Sequence, residues 1–246
     1  MSAGTLTVLG CDGSFAGPGG AASGYLVQGA STTVWLDAGP GTFARLQEVC
    51  SPGTIDAVVL THEHPDHWTD VESFAVWARM QRRTEPFLVL APPGLRERSY
   101  FGGDRSLRWV ELQSSLEVEV KDLRCRFSAT DHGPPTLAVA FERVGSRPGE
   151  AILAYSADTG PDWTPAELGD PIGTLLCEAT YTEAYEGRFK HLSGRQAGAL
   201  AREAGVAELV VTHRWPTIGA EDLVSEAERA FGRPVRQAAP GMVLGW

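Results

Sequence analysis

Residues 61–68 read THEHPDHW and follow directly on the apolar run Ala57-Val58-Val59-Leu60. The stretch places three histidines and two acidic side chains within eight positions, at the end of a predicted strand. Such groups crowd one another and are costly to bury unless a bound partner satisfies them. A metal ion accounts for the crowding, because neutral imidazoles and carboxylates are ligands for zinc and similar divalent cations.

The spacing of these groups is His62-x-His64-x-Asp66-His67. Alternate residues of a tight turn point the same way, so His62 and His64 can hold one ion while Asp66 and His67 face a second. The pattern therefore indicates a site for two metal ions. The alternative is a polar, solvated turn that precedes a capped helix.

The composition is that of an ordinary globular chain, with 246 residues of which 43% are hydrophobic and 21% charged. Predicted strands and helices alternate without a linker, so we expect a single domain over residues 1–246. The net charge of −10 repels polyanions and argues against extended nucleic-acid binding. The basic residues Arg79, Arg82 and Arg83 are interpreted as the solvated end of a helix.

The cysteines and the N-terminal segment indicate in which cellular compartment the protein is expected. Four cysteines are scattered without a CxxC pair, which argues against a disulfide framework or a cysteine zinc site and indicates free thiols. The segment MSAGTLTVLG lacks a basic flank and a long apolar region. No stretch of the sequence approaches the ~20 apolar residues of a membrane span. We therefore expect a cytoplasmic protein with no membrane partner.

Short apolar and β-branched segments, bounded by Gly, Pro and Asp, predict the strands. They cover residues 5–9, 25–27, 33–36, 57–60, 87–90, 117–120, 123–129, 137–141, 152–155, 174–177, 208–211 and 241–244. The segment CDGSFAGPGGAASG, residues 11–24, is too rich in Gly and Pro to be helical and predicts a long loop.

Three helix starts are predicted. Thr69-Asp-Val-Glu72 matches a capping box, and apolar residues at 71, 74, 75 and 78 share one helical face. A helix therefore follows the histidine cluster directly, and Asp70 is assigned a structural role in its first turn. The other two starts are Thr164-Pro165-Ala-Glu167 and Ser193-Gly-Arg-Gln196.

Two pairs of segments within the chain are weakly similar in sequence, which suggests two related halves. TVWLDAGPGTF is similar to ILAYSADTGPDW, and IDAVVLTHEHP is similar to AELVVTHRWP. Related halves would bring their strand ends to a common edge, where α/β sheets tend to build sites.

Four residues outside the opening stretch carry the same chemistry. His132, His191 and His213 lie at the end of an apolar segment or at the start of a helix, and Asp158 follows a strand. Taken alone, each of them is as compatible with a core or turn residue as with a ligand.

The order of these motifs resembles the metallo-β-lactamase-fold hydrolases over nearly the whole chain. The motifs are LGCDGS, SGYLV, LDAGPG, THEHPDH, DHGPP, YSADTG, CEATY, HLSG and VVTHRWP. The branch it looks most like contains ribonuclease Z and small bacterial phosphodiesterases, including an atypical class of cyclic-nucleotide phosphodiesterases. The resemblance implies a four-layer αββα sandwich of two mixed β-sheets flanked by helices.

The resemblance also implies roles for the individual residues. His62, His64 and His132 would bind one metal ion, Asp66, His67 and His213 the other, and Asp158 would bridge the two. Zinc is the expected metal, with manganese or iron as alternatives. His191 would donate a proton to the leaving group and Glu178 would orient it, so Asp66, His191 and Glu178 are the predicted catalytic residues. The alternative for His191 is a surface residue that precedes a helix cap.

Two such ions would acidify a bridging water to hydroxide and polarise a phosphodiester for attack. RNA-processing members often carry a tRNA-gripping arm between the residues that match His132 and Asp158, which here are only 26 positions apart. We therefore expect a small phosphodiester, with a 3′,5′-cyclic nucleotide as the most specific choice. A ribonuclease Z-like endonuclease, an ester or lactone hydrolase, and a non-catalytic metal-binding protein are the alternatives.

Partners are less well defined by the sequence. The resemblance implies a homodimer, because dimers are typical of this branch. Four aromatic residues flank the predicted ligands and could stack on a base or belong to the core: Trp68, Tyr181, Tyr185 and Trp215.

Overall fold

A computed structural model describes residues 4–81 and 84–246 of the chain. This part of the chain forms five α-helices: α1 Thr42–Val49, α2 Asp70–Met80, α3 Leu95–Arg98, α4 Gly194–Glu203 and α5 Ala220–Phe231. It forms fourteen strands: β1 Thr5–Gly10, β2 Gly24–Gln28, β3 Thr33–Ala38, β4 Ala57–Val59, β5 Phe87–Ala91, β6 Leu107–Glu111, β7 Glu117–Val120, β8 Leu123–Ala129, β9 Leu137–Arg143, β10 Ala151–Tyr155, β11 Ile172–Glu178, β12 Glu208–Thr212, β13 Arg236–Gln237 and β14 Val243–Gly245.

The described strands form two mixed sheets of seven strands each. The first has the order β14-β1-β2-β3-β4-β5-β6, and the second has the order β13-β12-β11-β10-β9-β8-β7. In the first sheet β1, β2 and β3 are antiparallel and β3 to β6 are parallel. In the second, β7 to β10 are antiparallel and β10 to β13 are parallel.

The central strands of the first sheet are buried on both faces, which explains their continuous apolar runs. Val34 and Leu36 point between the sheets, whereas Trp35 packs in a separate core under α1 and α2. Phe43 of α1 stacks on the Trp35 indole with the ring centroids 5.8 Å apart, and Phe74 of α2 meets it edge to face.

The second sheet repeats this arrangement. Phe141 and Tyr155 point between the sheets, while Ala140 and Ala154 face a core that α4 and α5 cover. Helices thus flank a pair of mixed sheets, and the predicted αββα sandwich is confirmed.

The parallel parts of the two sheets decide where the site lies. Strands β3, β4, β10, β11 and β12 end at the edge to which the polar motifs are attached. The first pair of similar segments, which contains β3 and β10, fits this architecture. Each of these strands is the last of an antiparallel meander and the first of a parallel run. The second pair, which contains β4 and β12, does not fit. Strand β4 is the direct neighbour of β3, whereas β12 is separated from β10 by one strand.

Two local predictions need correction. Helix α2 begins as expected, but the Thr69 side chain makes no cap and its hydroxyl donates instead to the Pro65 carbonyl oxygen. The capping-box pattern failed because the preceding turn already supplies a helical residue at Thr69. The start at Thr164 leads only to a 3₁₀ turn, Pro165–Glu167. Helices α1 and α3 and strands β6 and β13 were not predicted from the sequence.

Two further predictions are confirmed. The capping box at Ser193 is complete, with both reciprocal hydrogen bonds to Gln196. All four cysteines are free. Arg79 is exposed and pairs with Asp104, while Arg82 and Arg83 lie outside the described residues. Among the helices that the structure describes, none is long and apolar enough to span a bilayer.

Candidate metal centre

The opening stretch forms a tight turn between β4 and α2. The chain leaves β4, makes the 3₁₀ turn Pro65–His67 and enters α2 three residues later. The Trp68 indole N–H donates to the Glu63 carbonyl oxygen at 3.0 Å and closes this turn. Asp66 and His67 are buried by the turn, and His62 is fully buried at the end of β4.

Four ligand atoms converge on one side of the centre. They are Asp66 Oδ2, His67 Nε2, His213 Nε2 and Asp158 Oδ1. The distances from each carboxylate oxygen to each ring nitrogen are 3.3 or 3.4 Å. Ligands at the ~2.0–2.1 Å typical of zinc lie about 3.3–3.4 Å apart in a tetrahedron. The spacing of these atoms therefore suits one divalent cation.

Three imidazoles converge on the other side. His64 Nδ1 lies 3.1 Å from His62 Nε2 and 3.2 Å from His132 Nε2. Asp158 Oδ2 lies 3.5 Å from His62 Nε2 and 3.9 Å from His132 Nε2. One proton cannot satisfy three ring nitrogens that face a common point, whereas one cation can ligate them all.

Asp158 belongs to both clusters, because its two oxygens face opposite sides. Its Oδ1 and His67 Nε2 are buried and have no hydrogen-bond partner among the described residues. Buried polar atoms are rarely left without a partner unless a bound ion or water satisfies them. These two orphaned atoms fit the two-metal site that the sequence predicts, and the donor set suits divalent metal ions.

In four of the histidines, the ring nitrogen Nδ1 forms a hydrogen bond to a neighbouring group. His67 Nδ1 donates to Asp37 at 2.7 Å, and His132 Nδ1 donates to the Lys190 carbonyl oxygen at 2.9 Å. His62 Nδ1 pairs with the Thr61 hydroxyl at 3.1 Å, and His213 Nδ1 pairs with the Thr180 hydroxyl at 2.8 Å.

The two threonines determine which partner donates. Thr61 already gives its proton to Asp37, and Thr180 gives its proton to Glu178. Each hydroxyl has one proton, so both must accept from the histidine Nδ1. These bonds place the ring protons on Nδ1 and leave Nε2 of all four histidines free to bind metal.

The pKa values differ between the two sides. Burial lowers the pKa of His62, His64 and His132, which favours the neutral form that ligates metal. Burial also opposes the charge on His67, but the surrounding carboxylates, Asp158 first, raise its pKa well above the ordinary value. Burial alone would raise the pKa of Asp158, yet the neighbouring histidines, His213 first, hold it well below its usual range.

His191 lies beside the metal ligands. Its Nδ1 is 3.0 Å from Glu178 Oε1 and 3.9 Å from Asp158 Oδ2. Burial lowers the pKa of His191, but the Glu178 carboxylate more than offsets this and raises the pKa to about 9. His191, Asp158 and His213 are close enough to form a third candidate group, although the shorter contact to Glu178 assigns His191 Nδ1 to the carboxylate.

Glu178 is fully buried and held by three donors besides His191. It accepts from the backbone N–H groups of Thr159 and Leu192 and from the Thr180 hydroxyl. It therefore links His191 to the residue that orients His213.

Asp37 is a supporting residue whose role was not predicted from the sequence. It is fully buried at the end of β3 and accepts from His67 Nδ1, the Thr61 backbone N–H and, at 3.1 Å, the Tyr155 hydroxyl. An acidic side chain at the end of an apolar strand, inside the motif LDAGPG, was the available signal. No role could be assigned to this carboxylate from the sequence, because its hydrogen-bond partners lie 24 or more positions away in the chain.

Replacing Asp37 with alanine is expected to weaken zinc binding by about 10–100-fold, because His67 loses the acceptor that orients it. A competition titration against a chromogenic chelator measures the change. Asp56→Ala is the matched control, since Asp56 accepts the Thr33 backbone N–H at the opposite end of the same strand pair. Unchanged affinity in Asp37→Ala would show that the turn alone orients His67.

Two glycines let the loops approach the ligands closely. A Cβ on Gly39 would lie 2.0 Å from the Asp66 carbonyl oxygen, and one on Gly13 would lie 2.2 Å from the His213 carbonyl oxygen. Both distances are impossible for a real side chain, so these motif glycines are needed where backbones meet behind the ligands.

Residues 32–214 match the family model described as Beta-lactamase superfamily domain, and the chain belongs to this superfamily. An uncharacterised protein of Mycobacterium tuberculosis (strain ATCC 25618 / H37Rv) is 36% identical over 248 residues, covering 94% of this chain and 88% of that protein. Ribonuclease Z of Mycobacterium bovis (strain BCG / Pasteur 1173P2) is 28% identical over 246 residues, covering 87% of each chain.

Solved structures share the fold. The metallo-beta-lactamase fold protein YhfI from Bacillus subtilis matches with a TM-score of 0.89 and 23% identity over 100% of both chains. A diphosphatase from the PhnP family matches with a TM-score of 0.76 and 18% identity over 100% of this chain and 98% of that one. In sequence, YhfI of Bacillus subtilis (strain 168) is named a probable metallo-hydrolase and is 26% identical over 97% of this chain and 98% of YhfI. These relatives support a metal-dependent hydrolase.

Proposed function

We propose that the chain is a phosphodiesterase that uses two divalent metal ions, most simply zinc, to hydrolyse a small phosphodiester. The observation that carries the proposal is the pair of ligand clusters joined by Asp158, with His191 beside them. When bound, the two cations lower the pKa of water, polarise a phosphate oxygen and stabilise both the attacking and the leaving oxygens.

The protein groups have separate tasks in this proposal. Asp66 and Asp158 supply the negative charge that holds the cations, and the fixed Nδ1 protons keep the imidazoles in their ligating form. His191 gives a proton to the leaving oxygen from Nε2, because Glu178 occupies its Nδ1. Glu178 is the positioning residue, since it fixes the ring orientation and keeps the imidazole protonated.

A small substrate suits the chain better than RNA. His132 and Asp158 are 26 positions apart, and the segment between them holds β9, β10 and the short connection that joins these strands, while the net charge is −10. A 3′,5′-cyclic nucleotide is the specific substrate that we propose. The identity with Ribonuclease Z supports RNA cleavage as the second candidate.

The direct test is hydrolysis of bis(p-nitrophenyl) phosphate and 3′,5′-cyclic AMP by the zinc-reconstituted chain. We expect turnover of both substrates and loss of both in His64→Ala, because His64 Nδ1 faces two other ligands of the same cluster. A precursor tRNA with a 3′ extension is assayed in parallel.

The outcomes separate the candidates. Cleavage of the tRNA precursor with no turnover of cyclic AMP would replace the small-substrate proposal by the ribonuclease. No turnover of any phosphodiester, with two zinc ions bound, would contradict the phosphodiesterase and direct the search to carboxylic esters, lactones or thioesters.

A further inference from the structure

A group of four aromatic side chains, here called the aromatic cluster, lies next to the metal centre. Its members are Tyr181, Tyr185, Phe189 and Trp215. The rings of Phe189 and Trp215 are in edge-to-face contact with their centroids 5.3 Å apart. Tyr181 packs against both of them from the interior of the protein.

The aromatic cluster is carried by the loops that carry two histidines of the centre. Phe189 lies two residues before His191, and Trp215 lies two residues after His213. The two imidazoles are stacked with their centroids 5.3 Å apart, as close as the Phe189 and Trp215 rings. The same two loops therefore pair a histidine with a histidine and an aromatic ring with an aromatic ring.

Hydrogen bonds hold this pair of loops in place. The Tyr181 hydroxyl is 2.9 Å from the Phe189 carbonyl oxygen and 2.7 Å from the His191 carbonyl oxygen. The Trp215 indole N–H donates to the Ser14 hydroxyl at 2.9 Å. The Lys190 carbonyl oxygen, between Phe189 and His191, accepts from His132 Nδ1. The ring positions are thus tied to the ligands themselves.

Burial distinguishes the members of the cluster. Tyr181 is 0% exposed and belongs to the core, as does Trp68, which lies outside the cluster and is 7% exposed. Phe189 is 51% exposed, and Trp215 is half-buried. A large apolar ring held this far out of the core contributes little to folding, but its exposed surface can stack on a planar ligand.

We propose that Phe189 and Trp215 form a stacking platform for a nucleobase whose phosphate lies at the metal centre. This inference rests on the proposed phosphodiesterase function and deepens it, because it names the residues that contact the base of a nucleotide substrate. Base–aromatic stacking tolerates every base, since each base has a π-face. The platform therefore prefers a nucleotide over a sugar phosphate without choosing between bases.

The test compares the binding of 5′-AMP and of ribose 5-phosphate to the zinc-loaded protein by isothermal titration calorimetry. These ligands share the phosphate and the ribose, and only the first has a base. We expect 5′-AMP to bind about tenfold or more tightly, which is within the range of one stacked base. Phe189→Leu keeps apolar bulk but removes the π-face, so the preference should fall to less than threefold.

Two further variants sharpen the test. Phe189→Tyr retains an aromatic ring and should restore the preference. Tyr100→Leu is the matched control and should keep it, because Tyr100 is an exposed ring that packs on Phe101 outside the cluster. Equal affinity of the wild-type chain for the two ligands, or an undiminished preference in Phe189→Leu, would overturn the platform. A chain that prefers 5′-AMP but hydrolyses no phosphodiester would leave the platform standing and refute the proposed function instead.

Discussion

Asp158→Ala is expected to lose bound metal and hydrolysis together, with the rate on bis(p-nitrophenyl) phosphate falling by about 10³-fold or more. The carboxylate joins the two clusters, because its Oδ1 lies 3.3 Å from His67 Nε2 and its Oδ2 lies 3.5 Å from His62 Nε2. Stabilisation by a metal ion is worth several kcal/mol in the transition state, and each ~1.4 kcal/mol is tenfold in rate. Metal analysis of the purified variant should show fewer than two ions per chain.

Asp162→Ala is the matched control for this variant. Asp162 lies four positions further along the same loop and is exposed, so its removal should leave metal content and rate unchanged. Asp158→Ala chains that still hold two ions and turn over at the wild-type rate would contradict the bridging assignment. A cooperative unfolding transition in both variants would show that the loss does not arise from misfolding.

His191→Ala is expected to keep both metal ions but to slow the hydrolysis of 3′,5′-cyclic AMP by about 10²–10⁴-fold, the usual contribution of a general acid. The fold should tolerate the change, because Glu178 retains the N–H groups of Thr159 and Leu192 and the Thr180 hydroxyl as donors. The rate is measured alongside metal content by elemental analysis.

The identity of the leaving group distinguishes a proton donor from a merely structural residue. Cyclic AMP releases a basic ribose alkoxide that needs a proton, whereas bis(p-nitrophenyl) phosphate releases a weakly basic phenolate that does not. The loss in His191→Ala should therefore be less than about tenfold for the second substrate. Equal losses on both substrates, or no loss on either, would refute the donor role.

The candidate ligands could be predicted from the sequence because their side chains carry the chemistry and their order along the chain is informative. His62, His64, Asp66 and His67 lie within six positions, which few structural roles would require. His132, Asp158 and His213 were assigned only through the resemblance, and the structure brings them within ligand distance of the opening stretch. Their assignment as ligands stays a prediction that metal analysis tests.

The supporting groups could not be predicted in the same way. Asp37 contacts His67 across 30 positions, and Thr180 contacts His213 across 33. Aspartate and threonine are common residues, and nothing in their local sequence distinguishes an orienting partner from a turn residue. The same holds for Phe189, because exposure depends on how the chain packs around it.

The sequence by itself determined most of the strands and the ligand chemistry at their ends, because apolar strand runs and clustered ligands leave local patterns of hydrophobicity and charge. The sandwich fold was predicted from the resemblance in the order of the motifs. Only the tertiary structure decided which ring nitrogens are free, which carboxylate joins the two clusters and which aromatic ring keeps an open face. Those properties arise from contacts between residues that are distant in the chain, and such contacts exist only once the two sheets have packed together.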